Sequence, residues 1–139
     1  MNASFEEKSV WIQLVAMLLA LGGYLFVAGR MLAAGVLEAA PFFVVFIISA
    51  VVMVVIMVAG HIVAALTGPT GPPDERDRQI DWRSESRSSW LLGAGVFIAI
   101  AGLALGFAPA WIANLLMCSL FASEILKYAL QLWYYRRGL

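Results

Sequence analysis

Four long runs of apolar residues constrain this chain more than any other feature of its sequence. The runs cover residues 9–29, 41–66, 89–107 and 110–135. A helix needs about 20 mostly apolar residues to cross the roughly 30 Å hydrocarbon core of a bilayer, and each run is that long or nearly so. A helix also satisfies its own backbone hydrogen bonds, as a chain in lipid must. The pattern therefore predicts an all-α polytopic membrane protein with four spans.

The segments between the runs indicate how the spans are arranged. Only Ala108 and Pro109 separate the third run from the fourth, which predicts a tight antiparallel hairpin. Glycine and proline residues between positions 67 and 73 end the second helix. We expect one transmembrane domain over residues 1–139, a four-helix bundle built from two antiparallel helical hairpins.

The segment that joins the hairpins, residues 67–88, ends in a charged stretch with helical features. Asp74 suits the N-cap position, and neither Pro nor Gly occurs from there to Trp90. We therefore expect the third helix to extend several turns into the cytoplasm. Two interpretations of this extension stay open: a solvated connection between spans, or a docking surface for a soluble partner. The docking surface would consist of Asp74, Glu75, Arg76, Asp77 and Arg78.

The distribution of cations predicts the orientation of the chain. With four spans, both termini and the segment 67–88 lie on the same side of the membrane. That side would carry Lys8, Arg76, Arg78, Arg83, Arg87, Arg136 and Arg137. The connections on the other side contain a single Lys or Arg, which is Arg30. Because cytoplasmic connections are enriched in Lys and Arg, we expect both termini in the cytoplasm.

An ionisable side chain lies deep in the last apolar run. Glu124 falls near its middle, and a charge at that depth costs at least about 2.5 kcal/mol unless a partner or water shelters it. The polar residues of this run share one helical face: Ser123, Glu124, Lys127, Tyr128, Gln131, Tyr134 and Tyr135. His61 lies near the depth of Lys127 on the second span. The candidate buried polar site therefore comprises Glu124, Lys127, His61, Tyr128 and Gln131.

The role of this site has more than one interpretation. Glu124 and Lys127, three residues apart, would neutralise each other as an intrahelical pair. Alternatively the pair binds a proton or a cation, because desolvation moves pKa values toward neutrality. His61 is either a hydrogen-bonded packing residue or a member of the cluster.

Small residues predict where helices approach closely. In lipid, helix association depends on close backbone contact, which small side chains permit. Two faces carry them at helical spacing: Ala16, Ala20, Gly23 and Val27 on the first span, and Gly95, Ala99, Gly102 and Gly106 on the third. We expect both faces to pack, either within one bundle or between copies.

Several classes of function find no support in the sequence. The formal net charge is zero, which gives no argument for nucleic acid as a partner. Cys118 is the only cysteine, so no intramolecular disulfide and no cysteine metal cluster is expected. Neither a nucleophile–base pair nor a phosphate loop nor metal-ligand spacing is found. We expect no enzyme activity, no metal and no cofactor.

Three short motifs carry a resemblance to a known family. They are F-E-E-K-S-V-W at 5–11, D-E-R-D-R-Q-I-D at 74–81 and L-W-Y-Y-R-R-G at 132–138. Together they resemble a family of uncharacterised small four-helix bacterial membrane proteins with a D-E-R-D cytoplasmic loop. The resemblance implies a polytopic protein of the bacterial inner membrane, without a known activity. It also implies an association of some members with small helix-turn-helix regulators, and it assigns no catalytic residue.

Two functions follow from these observations. The first is a non-enzymatic integral membrane module, either sensing or regulatory or an accessory subunit of a larger membrane complex. Its partners would be membrane lipid, further copies of itself or other subunits, and a soluble cytoplasmic protein. The alternative is a small proton- or ion-coupled transporter that acts as a homo-oligomer through Glu124.

Overall fold

The protein is a bundle of four long helices. The computed structural model describes residues 5–67, 72 and 74–137. The helices are α1 (Phe5–Ala33), α2 (Ala39–Thr67), α3 (Glu75–Ala104) and α4 (Pro109–Arg137). Each is long and apolar enough to cross a membrane, and the described residues contain no strand. The all-α fold with four candidate spans is confirmed.

The bundle is organised around α4. This helix packs against α1, α2 and α3, whereas α3 makes its substantial contacts with α4 alone. The chain therefore forms two hairpins, α1–α2 and α3–α4, which meet mainly along α1 and α4. Because α3 lies on the flank, one of its faces is left without a helical neighbour.

The start of α3 is fixed by its own side chains. The backbone N–H of Asp77 donates to Asp74 Oδ1 at 2.7 Å, and the backbone N–H of Asp74 donates to Asp77 Oδ2 at 3.0 Å. Each carboxylate thus satisfies a donor that the first helical turn leaves free. The predicted N-cap at Asp74 is confirmed, and α3 continues without interruption to Ala104. Residues 68–71 and 73, in the predicted helix-breaking segment, lie outside the described residues.

Two glycines form the turns at the other end of the bundle. Gly35 and Gly106 have φ angles of +82° and +75°, a backbone conformation that side-chain-bearing residues rarely adopt. The two turns are joined, because the backbone N–H of Ala110 donates to Leu37 O at 3.1 Å. This end of both hairpins is therefore held together by backbone hydrogen bonding.

The core is built from aromatic rings and small residues. Tyr24 and Phe42 are fully buried. The rings of Tyr24, Phe46 and Phe121 pack with centroids 5.6–6.3 Å apart, in tilted or edge-on orientations. On α2 only Phe42 and Ala64 are buried, so most of its Val and Ile side chains face outward, as suits contact with lipid.

The small-residue faces pack unequally. On α3, Gly95, Ala99 and Gly102 are buried against α4, whereas Gly106 lies in the turn beyond the helix. On α1, Ala16 and Ala20 are buried, but Gly23 and Val27 are exposed. Ala16 and Ala20 therefore pack within the bundle, and packing of Gly23 and Val27 between copies stays a prediction. The helix also buries Ala28 and four larger residues: Val10, Leu14, Met17 and Tyr24.

Candidate functional site

Polar side chains join α3 and α4 in a regular series at one end of the bundle. We call this the inner end: it is the end at which α1 and α3 begin and α2 and α4 finish. Tyr135 Oη donates to Asp77 Oδ1 at 2.8 Å, and Gln131 Nε2 donates to Asp81 Oδ1 at 2.7 Å. One turn further along, Lys127 Nζ donates to Glu85 Oε2. We call these three pairs the ladder: Asp77–Tyr135, Asp81–Gln131 and Glu85–Lys127. Each helix advances by four residues between pairs, as two antiparallel helices in fixed register require.

The ladder determines the partners of Lys127. Its ammonium is 17% exposed, contacts Glu85 and lies 3.5 Å from Asp81 Oδ1. Both carboxylates belong to α3, so the cation pairs between helices rather than along α4.

Glu124 faces a different environment from Lys127. It lines an apolar cavity of about 280 Å³ with Met17, Phe46, Ala50, Met53, Met57, Leu120, Phe121 and Tyr128. The phenol of Tyr128 is its hydrogen-bonding neighbour. The preceding residue, Ser123, donates through Oγ to Ser88 O at 3.1 Å, which places Glu124 beside the part of α3 where the sequence changes from polar to apolar. The carboxylate therefore lies at a junction between two environments.

His61 is hydrogen-bonded to α1 and to its own helix. Its Nδ1 donates to Met57 O at 2.7 Å, since a carbonyl oxygen can only accept. In the neutral ring, Nε2 must then accept from Ser9 Oγ, 2.8 Å away. Gln13 Nε2 donates to the same Ser9 oxygen at 3.0 Å. The structure thus links His61 to Ser9, and the ion pairs of Lys127 run to α3 instead.

A second, polar cavity of about 220 Å³ lies at the inner end of the bundle between α1, α3 and α4. The predicted site residues Lys127, Tyr128 and Gln131 line it, together with Glu6, Ser9, Val10, Gln13, Asp77, Arg78, Asp81 and Tyr135. The Oε1 atom of Gln131 is buried and accepts no hydrogen bond from the described residues. Tyr128 lines both cavities, so it separates the polar cavity from the apolar one.

One carboxylate of the polar cavity has a shifted pKa. Burial raises the pKa of Glu6, which precedes the first apolar run, above its ordinary value. Repulsion from Asp77 raises it further, and His61 opposes the shift. The cavity therefore disfavours additional negative charge.

The five residues of the predicted docking surface have different surroundings. Asp74 and Asp77 form the capping box, and Asp77 also accepts from Tyr135. Arg78 lines the polar cavity. Glu75 and Arg76 are exposed on the first turn of α3.

The predicted buried polar site did not include its acidic partners on α3. Asp81 and Glu85 lie four residues apart and continue the spacing from Asp77, while the donors on α4 lie four apart as well. Matching these two periods would have indicated the ladder.

Away from the inner end, Asn114 connects the hairpins. Tyr24 Oη donates to Asn114 Oδ1 at 2.8 Å, and Asn114 Nδ2 donates to Ala110 O at 2.8 Å. Cys118 is a free, partly buried thiol. In the described part of the chain, no three His, Cys, Asp or Glu side chains lie close enough together to hold a metal ion.

Four helices that are each long and apolar enough to cross a membrane define the class of the protein as a polytopic membrane protein. The chain belongs to the DUF2178 family, described as a predicted membrane protein, which it matches over residues 7–139. No curated protein and no solved structure shows significant similarity to it.

Proposed function

We propose that this protein is a non-enzymatic module of the bacterial inner membrane, with both termini in the cytoplasm, that presents the inner half of α3 to a soluble partner. It would act as a sensor or regulator, or as an accessory subunit of a larger complex that includes further copies of the chain.

The ladder is the observation that carries this proposal. It uses one face of α3, where Ile80, Ser84 and Ser88 are buried. The opposite face remains open, and Trp82 on it is 73% exposed. The family of the chain and its four candidate spans support the membrane location.

A preformed helix is favourable for binding. A segment that is already helical and held in place loses little conformational entropy when a partner binds, so more of the contact energy contributes to affinity. Exposed aromatic residues, above all Trp, are typical of binding hot spots. A helix that merely joined two spans would not require three side-chain pairs to hold it against α4.

Charge exchange at the start of α3 tests the proposal. In Glu75→Lys/Arg76→Glu, the net charge is unchanged and the ladder is untouched. Complexes extracted in a mild detergent should lose a soluble component that the wild type retains. The matched control, Arg30→Glu/Glu38→Arg at the other end of the bundle, should retain it. Equal recovery of that component from both variants would argue against docking on α3.

A second function is supported by the position of Tyr128. Because this residue lines both cavities, a proton or cation held by Glu124 would need to pass only one side chain to reach the polar cavity. This arrangement favours a small ion- or proton-coupled transporter that acts as a homo-oligomer.

Reconstituted vesicles distinguish the two functions. For a transporter, an imposed pH gradient should dissipate faster with the wild type than with Glu124→Gln. Glu38→Gln, which removes a carboxylate outside both cavities, should behave as the wild type. Identical dissipation by protein-free vesicles and wild-type vesicles would eliminate proton transport.

A further inference from the structure

The apolar cavity contains a carboxylate that forms no ion pair within 4 Å among the described residues. Of the side chains that line it, only Glu124 is charged. The nearest cation along α4 is Lys127, and its ion pairs are with Asp81 and Glu85 on α3. Lys127 and Glu124 still attract each other electrostatically, but the ladder directs the ammonium of Lys127 toward the carboxylates of α3.

The rest of the lining suits an organic cation. Phe46, Phe121 and Tyr128 provide aromatic rings, and cations are attracted to ring faces within about 6 Å. Met17, Met53 and Met57 contribute flexible, polarizable thioethers, which adapt to ligands of irregular shape. Apolar walls around one convergent charged group are the usual composition of a small-molecule site.

Other occupants fit less well. A bare metal ion would find one carboxylate and no further carboxylate, imidazole or thiol in the lining. An acyl chain would fill the apolar walls but would leave Glu124 with only Tyr128 as a hydrogen-bonding neighbour. The volume, about 280 Å³, is at the lower end for ligand pockets, so the ligand must be small.

We propose that this cavity binds a small organic cation, a quaternary or tertiary ammonium with an apolar body, with its charge at Glu124 and its apolar part among the aromatic and methionine side chains. The inference concerns binding alone. It requires neither the docking role of α3 nor transport.

Two matched probes test the role of charge. Benzyltrimethylammonium and neopentylbenzene have nearly the same shape, but only the first is charged. With the protein in lipid nanodiscs, labelled benzyltrimethylammonium should bind saturably. Excess unlabelled cation should displace it, and the neutral isostere should be at least about tenfold weaker as a competitor because it gains no Coulomb attraction. Equal competition by the two probes would overturn the proposal and indicate an apolar cavity filled by lipid.

Variants on two helices test the location. Glu124→Gln should weaken binding of the cation at least about tenfold, and Glu38→Gln should leave it unchanged. If Glu124→Gln does not fold, Ala50→Leu provides an independent test, because it fills the cavity from α2 without altering a charge. Ala65→Leu, on the exposed side of the same helix, is its control. Wild-type binding by folded Glu124→Gln or by folded Ala50→Leu would overturn the proposal.

Discussion

The two hairpins have the same length and connectivity but are held together differently. The α3–α4 hairpin combines the polar ladder at its inner end with close glycine packing further along. The α1–α2 hairpin has mainly apolar contacts, among them the close approach of Ile12 to Gly60, and its interhelical side-chain hydrogen bond is between Ser9 and His61. Outward-facing Val and Ile cover α2, whereas the inner half of α3 is charged on its exposed side.

This difference indicates that the two hairpins have different structural roles. Apolar contacts in a bilayer give little register, because lipid satisfies such surfaces almost as well as another helix does. Directional hydrogen bonds and close backbone contact do set register. The α3–α4 pair is therefore the rigid part of the bundle, and α1–α2 covers the apolar cavity and faces the lipid.

Among substitutions that compare the two hairpins, the largest loss of stability is expected at Gly95. A Cβ at this position would overlap the side chain of Ser119, including its Cβ, so α3 and α4 would have to separate. Gly95→Leu should lower the free energy of unfolding by about 1–3 kcal/mol. Gly93→Ala on the same helix meets nothing within 4 Å and should be neutral or slightly stabilising. Unfolding in mixed micelles measures both, and similar losses would show that α3 is not closely packed.

The next largest loss of stability is expected at the joint between the hairpins, the hydrogen bond from Tyr24 to Asn114. Tyr24→Phe removes the donor to the buried Asn114 Oδ1 while it retains the ring. We expect a loss of about 1–1.5 kcal/mol, since the amide oxygen is left without its partner. Tyr134→Phe, which removes a hydroxyl at the inner end, is a useful comparison because its partner Arg87 is exposed and can be hydrated. A larger loss for Tyr134→Phe would contradict the assignment of Tyr24 as the joint.

Each pair of the ladder should contribute less to the free energy of unfolding than its short distances suggest. Lys127→Gln removes the cation, but both carboxylates are more than half exposed, so water compensates for much of the loss. We expect about 0.5–1 kcal/mol, decreasing as salt is added. Arg83→Gln removes an exposed cation from α3 and is the control. A loss that does not depend on salt would show that the pair is shielded from water.

The smallest effect is expected in the α1–α2 hairpin. Ser9→Ala removes the hydroxyl between His61 and Gln13. Interhelical hydrogen bonds in membrane proteins contribute about 0.6 kcal/mol on average, and we expect a loss of that order. Ser86→Ala on the exposed side of α3 serves as the reference. If Ser9→Ala costs more than Lys127→Gln, the hairpins do not differ in the way described.

Much of this structure could be predicted from the sequence, because length and hydropathy determine membrane spans. The four helices, the N-cap at Asp74 and the continuous α3 follow from local rules that need no neighbour. The polar face of α4 could also be recognised from helical spacing. Which helix would cover that face could not be recognised, because it depends on the rotation and register of two helices.

The same limit applies to the site residues. Helical spacing places Lys127 beside Glu124, and His61 lies at a similar depth on the second span, but the sequence does not fix which way each side chain points. The α3 carboxylates offer Lys127 a better-placed pair of charges across the interface. The position of a residue in the sequence predicts its depth in the membrane. The direction in which its side chain points around the helix axis depends on how the helix packs against its neighbours.

The hydrogen bond from Ala110 to Leu37 ties the two loops at the outer end, and Tyr24 with Asn114 ties α1 to α4 partway along. Toward the inner end, the polar cavity separates α1 from the α3–α4 pair. The bundle is therefore joined at its outer end and partway along its length. An outward movement of α1 at the inner end would widen the polar cavity, which contains the buried Oε1 atom of Gln131.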